Sequence, residues 1–576
     1  ILSQTPGVIV MNDELKVRNR ATTVYVNNRK VQLSSEEVRN LLENYQGENI
    51  KSVEVIYNPP ASYDAEGGSI LNIITSKNVS LGYKGNINAG YTQGVFPKYN
   101  FGTSHFYKTD KLNVNASYNF APKKEFKNTL STTNYNNDTG IFSIWDTNFD
   151  QIIRSNTHSA GLVIDYDFDD NNSLSLTSNV QLQPKRESDF FQNTTIKNGL
   201  GIIDSTFTTD SYLNEIKNNI SGDLTYKHKF KESGNLNLNA HYTYFDLDRS
   251  QDVNSNYFLP NGSFIRDFNF STNANQQIEI KTVQLDYNDN LGSVFFETGV
   301  KGSFINSESS LDYILRNNGP EFIPNLSDDY IYDENVLAAF LSFSKDWEKW
   351  SLKTGLRAEQ TESSGISENS STINNLNYFE LFPSLYLLRN INEHHSFSID
   401  YSRKLKRPRY DDLNPFRTYI NERTFEEGNP NLTPSFSHNF NLNYTLNQEY
   451  FFDFYYRDNG SYISTLTFQD NENLVLRDIT QNVLASTSFG LDFTYGKSIT
   501  NNWYLYSYIS LFHEDETFIA LQSEAYSFKN EFNGAYLDLT NYFTLSNDGT
   551  FKGELGFVYM SGYLQGSYIQ EQSTNL

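Results

Sequence analysis

From about residue 79 onward, hydrophobic and polar positions alternate with period two. In KLNVNASYNF (111–120), Leu112, Val114, Ala116, Tyr118 and Phe120 share one face, and Asn113, Asn115, Ser117 and Asn119 the other. The pattern returns in SLSLTSNVQLQ (173–183), NLNLNAHYTYF (235–245) and NFNLNYTL (439–446). In SLKTGLRAE (351–359), Lys353, Arg357 and Glu359 lie opposite Leu352, Leu356 and Ala358. About nineteen such segments follow one another, each near the ~9–11 residues with which a tilted strand crosses a bilayer. The first 78 residues read differently. A strand is expected over 22–31 and a helix over 34–45, where Ser34 and Glu37 fit a capping box and Val38, Leu41, Leu42 and Tyr45 form one stripe. Strands over 50–57 and 69–76, joined by NPPASYDAEGG, complete a small α/β unit.

Alternation also describes one face of a soluble sandwich, so connection lengths decide the solvent. Short links such as KTD (108–110), DDNN (169–172), KESG (231–234), DWEK (346–349), NEHH (392–395) and NQE (447–449) take turns with long ones. The long connections are expected at 121–157, 184–217, 246–276, 306–333, 362–377, 406–434 and 459–484. Strict alternation puts every long connection on one side of the sheet, which is the parity of a transmembrane barrel with tight periplasmic turns and long outer connections. Lipid offers no hydrogen bonds, so strands cross it only when the sheet closes; the outside then carries the apolar row and the inside a wet lumen. Tyr118, Phe120, Tyr242, Tyr244, Trp347 and Trp350, near segment ends, suit the interfacial belts. A nineteenth strand (551–560) would end outside the cell, and single-chain bacterial barrels hold an even number of strands. The expectation is therefore a partial N-terminal domain (1–78) and a barrel (79–576) lacking its last strands.

Composition fits a membrane barrel better than a soluble enzyme. Hydrophobic residues are only 38% and mean hydropathy is −0.57, yet aromatics reach 15%. No run of 18 apolar residues occurs, which excludes a transmembrane helix. With 45 Lys and Arg against 69 Asp and Glu the formal charge is −24, which argues against a nucleic-acid partner. Zero Cys excludes disulfides and thiolate metal sites.

Two stretches carry a family resemblance. VYVNNRKVQLSSEEVRNLL (24–42) followed by NIKSVEVIYNPPASYDAEGGSILNIITSKN (49–78) resembles the C-terminal half of the plug domain of TonB-dependent outer-membrane receptors. YSRKLKRPRYDDLNPF (401–416) followed by EGNPNLTPSFSHNFNLNY (427–444) is similar to the signature stretch of the outer-membrane β-barrel family within that superfamily. The resemblance implies an all-β fold: a transmembrane antiparallel barrel of about 22 strands when complete, with the small α/β plug in its lumen. In the plug stretch the candidate structural or gating residues are Pro59, Pro60, Tyr63, Asp64, Gly67 and Gly68. The prolines remove amide donors and stop the preceding strand, and the glycines allow backbone angles or approaches that a Cβ blocks. Asp64 and Glu66 are candidates to pair with Arg or Lys of the barrel wall. In the second stretch the structural or ligand candidates are Arg407, Pro408, Asn414, Pro415, Gly428, Asn429 and Pro430. There Arg407, Arg409 and Arg417 face Asp411, Asp412, Glu422, Glu426 and Glu427, as in a salt-linked loop.

No G-x-S-x-G, H-E-x-x-H, P-loop or EF-hand pattern occurs, and neither His394–His395 nor His513-Glu514-Asp515 has a partner cluster in sequence. Neither an enzyme nor a cofactor or metal is expected. What the resemblance implies is an outer-membrane receptor and transporter for a scarce solute of unspecified identity, in contact with lipid and lipopolysaccharide in a Gram-negative bacterium. It would be driven by the TonB complex through an N-terminal box upstream of Ile1. The alternative is a non-transporting plugged barrel that serves as a structural subunit among other outer-membrane proteins. A third reading is a secreted soluble adhesin.

Overall fold

The computed structural model describes residues 8–11, 14–17, 20–26, 29–31, 50–75, 81–230, 233–368, 372–520, 526–546, 548–571 and 573–575. Among the described residues, nineteen long strands, from Gly82–Gln93 to Lys552–Met560, pair antiparallel in chain order. A short strand, Ser573–Asn575, pairs antiparallel with Lys552–Met560 and stands next to Gly82–Gln93, so the order of strands returns to its start as a barrel.

The two faces are those of a membrane barrel. Ile399 lies opposite Leu442 on neighbouring strands, and Asp400 opposite Asn441. The apolar pair is outside, 52% and 44% exposed, while the polar pair is inside, 9% and 4% exposed, with Asn441 Nδ2 donating to Asp400 Oδ1 at 2.7 Å. Water would reward the opposite arrangement; hydrocarbon rewards this one. VLAAFL in the strand Asp328–Asp346 departs from the rule. Val336, Ala338 and Phe340 are buried on the inside while Leu337 and Leu341 face out, so the wall here is apolar on both sides. At a rim, Lys345 sits 5.1 Å from the Trp347 ring and Arg389 4.9 Å from that of Trp350, pairing cations with interfacial aromatics.

The long connections differ from expectation in kind. Leu112–Asn137 and Gly140–Asp167 run through 121–157, Asn172–Asn198 and Ile203–Lys229 through 184–217, and Asn235–Phe258 and Phe264–Leu291 through 246–276. These strands are 24–28 residues long, more than twice what a bilayer crossing needs. A ladder already ordered inside the membrane extends cheaply into water, because each added pair fixes few residues and keeps alternating Thr, Ser, Asn and Phe on matched faces. Ladders likewise consume most of 362–377 and both ends of 306–333, which keeps a short 3₁₀ turn at Pro324–Leu326. Residues 407–434 and 459–484 remain as folded connections. Together they build a four-stranded sheet in the order Arg417–Asn421, Thr424–Glu427, Val475–Asn482, Ile463–Asp470.

The N-terminal unit is a separate sheet in the order Val8–Met11, Glu14–Val17, Arg20–Val26, Ser69–Thr75, Ile50–Ile56. Val8, Val17, Val24, Leu71 and Ile73 form its core. The single strand expected at 22–31 is instead Arg20–Val26 with a return strand Arg29–Lys30, Tyr25 opposite Lys30. The helix expected at 34–45 lies outside the described residues.

Candidate functional site

The link between Ile50–Ile56 and Ser69–Thr75 faces the barrel wall. After Pro59 and Pro60 the chain turns, Tyr63 N donating to Pro60 O at 3.0 Å, and the Tyr63 ring meets Tyr25 edge-on at 5.4 Å. The Asn58 side chain donates to Asp400 and accepts from Ser402 Oγ. Leu405 N donates to Ala65 O and Gly67 N donates to Leu405 O, both at 2.9 Å, so the link adds to the barrel strand His395–Lys406 as a short ladder. Ala65 packs on Phe382 and Leu405. Gly67 has φ +94°, and a Cβ there would meet Thr23 Oγ1 at 2.3 Å, so glycine is required. Gly68 does not share this role: an added Cβ meets nothing within 4 Å.

Asp64 anchors the link by charge. Lys301 Nζ donates to both of its oxygens at 2.8 Å, and Arg357 Nη2 to Oδ1 at 3.3 Å. Arg357 Nε donates to Glu359 at 2.6 Å, Arg407 Nη2 donates to Glu359 at 2.9 Å, and Arg407 Nε stands 3.6 Å from Glu334. Burial alone would raise the Asp64 carboxyl, but Lys301, Arg357 and Lys30 outweigh it and hold it far below the usual carboxylate range. Glu66 differs from the expected wall partner. It binds Lys30 of its own unit at 2.7 Å, and its carboxyl is lowered because Lys30 and Arg407 outweigh the effect of burial.

Above the link stands the lobe made by 407–434 and 459–484. Arg407 does not join the acids of its own loop; it turns to Glu334 and Glu359 of the wall. The remaining loop charges do pair, Arg409 with Asp412 at 2.9 Å and both Arg417 and Arg477 with Glu427 at 2.9 and 3.0 Å. Glu422 binds the wall residue Arg266. Glu426 has its carboxyl pushed up by burial and by Asp478, and Asp411 is exposed. Asn429 N donates to Asp412 O at 2.6 Å, and a Cβ on Gly428 would fall 1.9 Å from Asn414 O, so these two segments touch backbone to backbone. Asn414 and Asn429 close turns over Pro415 and Pro430 by accepting from Phe416 N and Asn431 N, and Pro430 O accepts from Asn374 at 2.5 Å. Tyr419 packs among Val253, Phe270 and Tyr313, and Leu413, Leu432 and Ile463 pack on Tyr330 and Tyr332, which seats the lobe across the mouth.

Between unit and lobe lies a chamber of about 450 Å³, lined by Asp64, Glu66, Gly67 and Gly68 on one side, Arg407 and Pro408 on another, and inward wall residues. The structure thus brings the two sequence stretches to one place, while Asn414, Pro415, Gly428, Asn429 and Pro430 shape the lobe behind it. Lys301, Glu334 and Lys404 escape sequence reasoning. Their signal is a charge on the lumen-facing row of an alternating strand, which Arg357 and Glu359 also display. His395 accompanies Tyr444 and His513 lies on Phe489, both away from the chamber.

The family model described as outer membrane protein beta-barrel family matches residues 228–576. This chain belongs to that family. It is a Gram-negative outer-membrane protein, and the apolar outer face of its barrel suits that setting. Solved structures sharing the family's fold include the copper transporter OprC, with TM-score 0.61 and 10% identity over 100% of this chain and 85% of that one. The siderophore receptor PiuA from Acinetobacter baumannii gives 0.58 and 10% over 97% and 83%. The ferric yersiniabactin uptake receptor FyuA from Yersinia pestis gives 0.53 and 12% over 99% and 92%. At such identities the likeness is one of fold, and at that level it agrees with the TonB-dependent receptor resemblance read from the sequence. No curated protein matches the chain.

Proposed function

We propose that this protein is a receptor and transporter that takes up a solute through a gated barrel, residues 1–78 acting as the plug. The lobe admits the solute, the chamber holds it, and the Asp64 ion pairs latch the plug to the wall until it is pulled. The outer membrane has no energy source of its own, so the pull comes from the periplasmic side, through the TonB complex. The observation that carries this reading is the charged link of the N-terminal unit docked on the inner wall at the edge of the chamber. The names of the similar transporters and receptors support it. The structural-subunit alternative has no observation in its favour. Deleting residues 1–78 tests the gate in planar bilayers: the truncated barrel inserts and conducts in large steps while the full chain stays near background. An inserted truncated barrel that stays at background overturns the proposal.

A further inference from the structure

One basic side chain of the chamber has no partner among the described residues. Lys404, on the inner face of His395–Lys406, lines the chamber and is 5% exposed, and among the described residues it makes neither a hydrogen bond nor an ion pair. The other basic groups of the lining are engaged. Lys30 has Glu66, Lys301 has Asp64, and Arg357 and Arg407 share Glu359. Lys406 donates to Ile463 O at 3.0 Å, and Arg409 to Asp412. The acids nearest Lys404 are therefore already committed. Burying an ammonium without a partner costs several kcal/mol, roughly what pairing it returns, so an unpaired lysine at a cavity wall is a poor structural element and a good anion receptor.

The surroundings agree. The chamber lining carries seven Lys and Arg against five Asp and Glu, in a chain whose net charge is −24. Its polarity is thus the reverse of the molecule's. Another part of the lining is apolar: Ile278, Ile280 and Ile305 form a buried cluster against Phe245 and Tyr410, and all five line the same space. A volume of about 450 Å³ lies within the ~300–1,000 Å³ usual for small-molecule sites.

We propose that the chamber binds a small solute bearing a carboxylate or phosphate group on an apolar body, with Lys404 pairing the anion and the isoleucine cluster holding the body. The inference rests on the reading that solute occupies this chamber and adds its chemical class. It is tested with the full chain in lipid nanodiscs by titration calorimetry, using 4-phenylbutyrate and its neutral counterpart 4-phenylbutanamide. A charge-assisted contact is worth ~1.5–3 kcal/mol, so the acid binds roughly 10- to 150-fold tighter than the amide. Lys404→Met lowers the acid to the level of the amide and leaves amide binding unchanged. Lys404→Arg keeps the preference, and heat-dependent gel migration of each variant reports a folded barrel. Equal binding of acid and amide, a preference that survives Lys404→Met, or failure of both probes to bind overturns the inference. Binding here needs no transport, so its failure leaves the gate standing, whereas a truncated barrel that does not leak removes the gate and leaves the anion site untouched.

Discussion

At the scale of single residues, the account turns on Asp64. Removing one partner of a buried ion pair leaves the others uncompensated, at a cost of about 3–5 kcal/mol. Asp64→Asn therefore loosens the link: amide exchange over 58–67 rises in the folded barrel, and cells expressing the variant become more sensitive to vancomycin, which is too large for porins. Unchanged exchange would remove Asp64 from the latch. The pH dependence follows from the depressed carboxyl. Its stabilising contribution is complete above the ordinary aspartate range near ~3.9 and is lost only as pH falls below that range toward the folded value. The protection factors of the amides in 58–67, with the intrinsic pH dependence of exchange divided out, are thus the same at pH 7 and pH 5 and fall under more acid conditions. Asp64 and Gly67 were legible in the sequence because a short motif sets their surroundings. Lys301, Glu334 and Lys404 were not, because what an inward residue touches depends on how strands far apart in sequence meet across the lumen. Arg407 misled for the same reason, its local acids being outcompeted by Glu334 and Glu359 of the wall.

At the scale of elements, period two revealed the strands and their parity but not where they stop. Alternation ends no more sharply at the membrane surface than the ladder does, so segments of 24–28 residues looked like short strands joined by long loops. The lobe was opaque for a different reason. Its strands are 4–8 residues long, and Thr424–Glu427 pairs in parallel with Val475–Asn482 from the other connection, which no local pattern announces. A labelling prediction separates ladders from loops. Cysteines placed at the turns Asp138, Leu200 and Asn261 react with a membrane-impermeant maleimide on intact cells, whereas those at Asp170, Lys349 and Glu393 react only after lysis. Cysteines at Thr132 and Asp146, paired across the first long hairpin, form a disulfide under mild oxidation. Equal labelling at both sets of turns, or no crosslink, would contradict the projecting ladders.

At the scale of the whole molecule, everything depends on hydrocarbon lying against the apolar rows and water filling the interior. The faces explain how a chain with mean hydropathy −0.57 belongs to the membrane: its lumen is polar, its N-terminal unit docks on the inner wall of that lumen, and only one row per strand meets lipid. The direct measurement is a scan of nitroxide labels at Phe440, Asn441, Leu442 and Asn443 in the protein reconstituted in lipid, reading collision with oxygen and with a water-soluble nickel complex. The account predicts high oxygen and low nickel accessibility at Phe440 and Leu442, and the reverse preference or strong immobilisation at Asn441 and Asn443. Four labels with the same accessibility, or nickel reaching Phe440 and Leu442 freely, would contradict it.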